Sequence, residues 1–89
     1  MSNLVFLPEG FEDYLYWQRQ DRKTLRRINQ LLQDILRNAF EGLGKPEPLR
    51  GNKTGWWSRR IDDTNRLVYR VQGVNIEIAQ CRGHYDTEK

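Results

Sequence analysis

The sequence predicts one small α+β domain in which two N-terminal helices pack on an antiparallel sheet. Its 89 residues are enough for one core and too few for two. The first half carries apolar residues at helical spacing, broken once at Asp21, and the last third alternates between two faces with turn residues between the runs. A chain this short buries only roughly two-thirds of the surface it exposes when unfolded, so one continuous core must serve it. Three Trp, four Tyr and three Phe raise the area that each buried residue supplies. Residues 1–85 read as a single domain and 86–89 as a frayed tail.

Leu4 to Leu7 is a short apolar run stopped by Pro8, which fits a first strand. Pro8 can open a helix, because its missing N–H would be unsatisfied in the first turn anyway. Phe11, Tyr14, Leu15 and Gln18 follow helical spacing, with Glu9, Glu12 and Asp13 at the positive helix start. Asp21 suits the N-cap of a second helix, where Leu25, Ile28, Leu32, Ile35 and Ala39 form an apolar stripe ending before Gly42. The very short turn between the helices predicts an αα-hairpin.

Residues 42–55 contain two prolines and four glycines, which excludes a regular helix and leaves room for a short edge strand around Leu49. A connection of this length is often functional. Three strands should follow: Trp56 to Ile61, Arg66 to Gln72 and Ile76 to Arg82. Asp62 to Asn65 and Gly73 supply the turns. Alternation puts Trp57, Arg59 and Ile61 on one face, and Arg66, Val68 and Arg70 on the face opposite Leu67, Tyr69 and Val71.

The net charge is +3, and its distribution is uneven. Acidic residues gather near the start and at the tail. Basic residues fill the middle: Arg22, Lys23, Arg26 and Arg27, then Lys45, Arg50, Lys53, Arg59 and Arg60, then Arg66, Arg70 and Arg82. Such a stripe suits a polyanion, RNA, DNA or an acidic protein, because cations that meet phosphates release counterions. The basic side of the second helix is equally well explained by simple amphipathicity. One cysteine, Cys81, excludes an internal disulfide, and one Cys with one His offers no zinc cluster. The run Leu4 to Leu7 is too short for a signal-peptide core or a membrane span, so the chain reads as cytoplasmic with no membrane partner.

There is no Walker loop, GxGxxG, CxxC or carboxylate cluster suited to a metal, and no cofactor is implied. What remains is one His, one Pro-flanked Glu and several strand arginines. Cleaving RNA through its own 2′-hydroxyl needs little more: a base for the 2′-proton, a cation for the five-coordinate phosphate, and an acid for the leaving 5′-oxygen. His84 is the natural acid, because imidazoles titrate near neutrality. Glu47 is the one carboxylate in the basic loop, and Pro46 and Pro48 restrict it on both sides. Arg66 and Arg59 can present guanidinium forks to phosphate oxygens. Plainer roles stay open: His84 as a surface residue, Glu47 as a turn residue or partner of Lys45, the arginines in cross-strand ion pairs, and Trp56 and Trp57 in packing. On composition alone this is a basic α+β domain associated with nucleic acid.

The segments Asp13-Tyr-Leu-Tyr-Trp-Gln18, Lys45-Pro-Glu-Pro-Leu49, Gly55-Trp-Trp-Ser-Arg-Arg-Ile61, Asn65-Arg-Leu-Val-Tyr69 and Cys81-Arg-Gly-His-Tyr85 go further. In their order and spacing the chain resembles the YoeB toxins of the RelE superfamily, from about Phe11 to Tyr85. The resemblance implies a microbial-RNase-like (RelE-type) fold. It also implies a type II toxin that binds the ribosomal A site and cleaves mRNA there without a metal. It places the general base on Glu47, the transition-state arginine on Arg66 and the general acid on His84. Arg59 and Tyr85 match positions that hold the phosphate and the substrate base, and Lys45 and Arg50 join them by charge and loop position. The partners implied are a YefM-like antitoxin with an acidic flexible C-terminal segment, the ribosome with its mRNA, and operator DNA for the toxin–antitoxin complex only. A homodimer is compatible with the sequence. Arg22, Lys23, Arg26 and Arg27 are the candidates for contacting ribosomal RNA. Two departures stand out: the chain continues past Tyr85 with Asp86-Thr-Glu-Lys89, and Arg70 occupies a position where a small residue is common. The rival readings are a gyrase-poisoning toxin of the same superfamily, a ribosome-independent RNase, and a binding module without chemistry.

Overall fold

The computed structural model describes residues 2–84. Strand β1 (Asn3–Phe6) leads into α1 (Pro8–Gln20) and α2 (Arg22–Arg37), followed by β2 (Glu47–Pro48), a 3-10 turn (Gly51–Lys53), β3 (Trp57–Arg60), β4 (Arg66–Gln72) and β5 (Asn75–Gln80). The sheet order is β1-β5-β4-β3-β2. The four strands β2 to β5 form the antiparallel meander. β1 adds beside β5 in parallel, so the five-stranded sheet is mixed. This is the α+β architecture expected, two helices on one face of a sheet.

Local chemistry explains where the helices begin. Leu7 is extended (φ −71°, ψ 161°), and Pro8 takes the first helical turn. Asp21 serves both helices: its N–H bonds to the carbonyl of Trp17 to close α1, and its carboxylate accepts from the N–H groups of Lys23 and Thr24 to open α2. Ile28, Leu31, Leu32 and Ile35 of α2 are buried against Leu67 and Tyr69 of β4 and Ile76 and Ile78 of β5. Each fully buried Leu or Ile contributes about 1.5–3 kcal/mol by leaving water.

α2 stops at Arg37 rather than running to Ala39. From Asn38 onward the chain turns its carbonyls inward, toward the buried Arg59. α1 crosses β5 at Gly10, where an added Cβ would collide with the carbonyl oxygen of Ile78. A backbone atom cannot rotate away, so Gly10→Ala should lift α1 off the sheet. The expected loss is about 1–3 kcal/mol in urea unfolding. An unchanged midpoint would show that the helix can shift freely.

Candidate active site on the outer face of the sheet

The face of the sheet away from the helices is set by cross-strand register. Glu47 lies opposite Ser58, Ser58 opposite Val68, and Val68 opposite Gln80. Directly opposed residues share a face, so these four form one row. Gln80 reaches the row because β5 carries one extra residue there: Tyr69 pairs with Ile78 while Val68 pairs with Gln80. Ser58 and Val68 are each 3% exposed, giving the row a closed floor. Two residues along, Arg60 lies opposite Arg66 on the same face. Like charges in direct opposition are unfavourable unless an anion joins them.

From strand geometry, Glu47 and Arg66 stand about 10 Å apart across the sheet and about 7 Å along it. Their long side chains can converge on one phosphodiester. Arg66 is steadied by two carbonyls, with Nη1 donating to Asp62 at 2.7 Å and to Asn65 at 3.1 Å. The Asp62 carboxylate holds this turn by accepting from the N–H groups of Thr64 and Asn65. Burial pushes its pKa up, but the bonds from Asn65 and Thr64 outweigh that and leave it below the ordinary value.

His84 arrives by a different route. β5 ends at Gln80, and the chain bends so that Gly83 accepts the Arg66 N–H at 2.9 Å and donates its own N–H to Asn65 Oδ1 at 2.7 Å. Gln80 donates to the carbonyl of His84 at 3.3 Å. The proposed acid is therefore tied to the backbone of the proposed transition-state arginine. His84 is exposed, as is Glu47. The sequence placed Asn65 in a turn and gave it no part in the site, although it begins one of the matching segments. Tyr85 and the tail 86–89 lie outside the described residues.

The loop that delivers Glu47 is held from below. Lys45 is exposed and adopts φ 53°, a left-handed conformation that costs a non-glycine residue about 1–2 kcal/mol. It stands between Gly44, whose carbonyl accepts the Arg60 N–H, and Pro46. Leu49 anchors the far end, 7% exposed and bonded to the Trp56 carbonyl. Arg50 follows in the loop, outside the row, where its carbonyl accepts the Lys53 N–H of the 3-10 turn.

Arg59 requires a correction. The sequence reading placed it among the phosphate-binding residues, but its side chain is wholly buried on the helix side of the sheet. Nε donates to the Tyr69 hydroxyl, Nη1 to Asp34 Oδ2 and the Leu43 carbonyl, and Nη2 to the carbonyls of Asn38 and Glu41. That uses every N–H of the guanidinium. Tyr69 in turn donates to the Ala39 carbonyl at 2.7 Å. The end of α2 and the loop after it are folded around this one cation, which is why α2 stops at Arg37.

Asp34 completes the hub. Bonds from the Arg37 side chain, the Leu43 N–H and Arg59 hold its carboxyl well below the ordinary carboxylate range. A lowered folded pKa gives stability that is present above the unfolded value near 4 and lost as pH falls through the folded one. The thermal midpoint should therefore drop below about pH 4, and Asp34→Asn should flatten that drop while lowering the midpoint at neutral pH. Parallel acid profiles in the two proteins would remove Asp34 from the account.

The remaining basic residues divide. Arg22, Lys23 and Arg26 are exposed on α2, in the helix layer. Arg27 is half-buried and donates to the carbonyls of Arg60 and Ile61, joining α2 to the end of β3. Arg70 pairs with Glu77 at 2.7 Å and lies over the Trp56 ring, 4.4 Å from its centroid. Trp57 packs into the core side against Phe40. Among the described residues no group of three or more His, Cys, Asp or Glu could hold a metal ion, and no helix is long and apolar enough to cross a membrane.

The outer face thus bears a carboxylate and opposed arginines, and the backbone of the segment leading to His84 is bonded to Arg66. Known proteins carry similar chains. It is 52% identical to Toxin YoeB of Streptomyces coelicolor over 82 residues, which cover 92% of this chain and 98% of that protein. The solved YoeB dimer from Staphylococcus aureus superposes with a TM-score of 0.88 at 52% identity, covering 94% of this chain and 98% of that one. The heterotetrameric YoeB–YefM toxin–antitoxin complex from the same organism gives 0.87 at 51% identity, with 96% and 99% covered. A family model described as YoeB-like toxin of bacterial type II toxin–antitoxin system matches residues 6–85. The chain belongs to that family of toxins.

Proposed function

We propose that this toxin cleaves messenger RNA in the ribosomal A site by transfer of the phosphoryl group to the neighbouring 2′-oxygen. Glu47 takes the 2′-proton, Arg66 bears the charge on the five-coordinate phosphate, and His84 gives a proton to the leaving 5′-oxygen. The observation that carries this reading is the register. It sets Arg60 against Arg66 on the face that also bears Glu47, and the Arg66–Gly83 backbone bond brings the His84 segment alongside. Opposed arginines make physical sense beside a polyanion. Lys45 and Arg50 add positive charge around the entering strand, and Tyr85 remains the family-matched position for the substrate base. The charge is carried by arginine in this reading, so no metal is needed at the reacting phosphate.

The test is primer extension on a defined mRNA with and without programmed ribosomes. A cut in the A-site codon that needs ribosomes supports the reading. Cutting of naked RNA would make this a free RNase, and no cut with persistent toxicity in cells would move the function to gyrase or to binding alone.

The exposed cations of α2 are the proposed ribosomal contact. Changing Arg22, Lys23 and Arg26 together to Gln should weaken ribosome binding about tenfold or more and reduce its salt dependence, with the melting curve unchanged. Arg27 is left out of that set because it holds β3. Normal ribosome affinity would sink the assignment. The antitoxin is proposed to be YefM-like, its acidic flexible segment folding over the basic outer face, with operator DNA bound only by the complex. A homodimer of this chain is proposed on the same family ground. The compartment is the cytoplasm, where ribosomes and mRNA are found.

A further inference from the structure

The segment that carries His84 leaves the sheet at Cys81, just after β5 ends at Gln80. Helix α1 grips it at that first residue from both sides of the backbone. Trp17 donates its indole N–H to the Cys81 carbonyl at 2.8 Å. Asp13 accepts the Cys81 N–H on Oδ2 at 3.0 Å. The two side chains are four residues apart on α1, so they project from one face, one turn apart. The Cys81 thiol points into the interior, 3.7 Å from the Gly10 carbonyl, and burial together with the Asp13 charge pushes its pKa up to about 12. Arg82 then lays its guanidinium over the Tyr16 ring, 3.6 Å from the centroid.

This is more than packing. Burying the apolar side of α1 requires neither a half-buried carboxylate nor an indole N–H aimed at one particular peptide. The grip lies three residues before His84, with Gly83 (φ 77°), whose left-handed backbone suits glycine, between them. With Cys81 fixed by α1, and Gly83 fixed by Asn65 and Arg66, the short run between them has little freedom left.

We propose that Asp13 and Trp17 are positioning residues for His84, holding both backbone groups of Cys81 and thereby setting where the imidazole meets the outer face of the sheet. The proposal rests on the reading of His84 as the acid in RNA cleavage. A proton donor displaced by about 1 Å can lose about 100-fold in rate.

His84 is the single histidine of the chain, so its imidazole resonances report its place without assignment ambiguity. The full chain would be compared with Trp17→Phe, Asp13→Ala, Asp13→Asn and Tyr14→Phe, reading kcat and KM on programmed ribosomes and the His84 signals by NMR. Trp17→Phe and Asp13→Ala should lower kcat about 10–100-fold with KM within about twofold, and should move the His84 signals. Asp13→Asn keeps a carbonyl acceptor for the Cys81 N–H and should recover most of the rate. Tyr14→Phe removes only the bond from α1 to Asn29 of α2 at 2.8 Å and should leave rate and signals unchanged. Unmoved His84 signals, an unchanged kcat, or an equal loss in Tyr14→Phe would overturn the proposal. Failure of the underlying reading looks different: His84→Ala would then cut as fast as wild type. In that case the catalytic purpose falls, while the NMR signals still show whether α1 sets the imidazole's place.

Discussion

Replacing His84 by alanine should lower the single-turnover rate of A-site cleavage by about 10²–10⁴-fold and leave the thermal midpoint where it was. The midpoint should hold because the side chain is exposed and its segment is held through backbone groups of Cys81 and Gly83 rather than through the imidazole. Glu47→Gln should behave alike, since Glu47 is also exposed and its neighbours Pro46, Pro48 and buried Leu49 keep the loop in place. Arg66→Ala should cost about 10²–10³-fold, the usual loss when one charge-stabilising donor is removed. Combining the three should give much less than the product of the single losses, because the proposed acid, base and cation would act on one transition state. A His84→Ala protein that cuts at the wild-type rate would end the acid assignment, whatever the other variants do.

Arg59→Met should destabilise the fold by about 3–5 kcal/mol, the range for breaking a buried charge pair. Methionine keeps the apolar stem but leaves the carbonyls of Asn38, Glu41 and Leu43 and the Tyr69 hydroxyl short of a donor inside the protein. Total stability for a domain of this size is only about 5–15 kcal/mol, so a large unfolded fraction is expected near physiological temperature. Arg59→Lys should be nearly as poor, because an ammonium has three donors where five are used. Urea unfolding at neutral pH measures both. The rival idea, that Arg59 binds phosphate, predicts the opposite pattern: a normally stable Arg59→Lys protein with weakened cleavage. That result would reverse the structural assignment.

The Arg59 case shows where sequence reading stops. Alternation put Arg59 with Trp57 and Ile61, which is the core face, so its burial was implied by the same pattern that predicted the strand. Charge and the motif match both argued for an exposed, phosphate-binding Arg59, and both misled. The resolving signal was Asp34, which falls between Leu31 and Ile35 on the buried side of α2 and offers the partner a buried guanidinium needs. Nothing in one sequence connects residues 34 and 59. Similarly, Trp56 and Trp57 were expected to point opposite ways, and they do, but only the packed structure shows Arg70 covering one and Phe40 meeting the other.

What the sequence by itself determined was local. Pro8 and Asp21 mark the helix boundaries, the apolar stripe of α2 defines its buried face, and the alternation from residue 56 onward defines three strands. These follow from dihedral limits, capping and side-chain periodicity, which act over a few residues. The family resemblance added the identities of Glu47, Arg66 and His84. Tertiary structure decided the rest. The parallel pairing of β1 with β5 joins residues 3–6 to 75–78, and no turn signal can announce a contact that distant. The row Glu47–Ser58–Val68–Gln80 depends on one extra residue in β5. The hold on Cys81, three residues before His84, comes from Trp17 and Asp13, more than sixty residues away in the chain. Such contacts form because burying one shared core brings distant segments together, and only then can single hydrogen bonds fix the site.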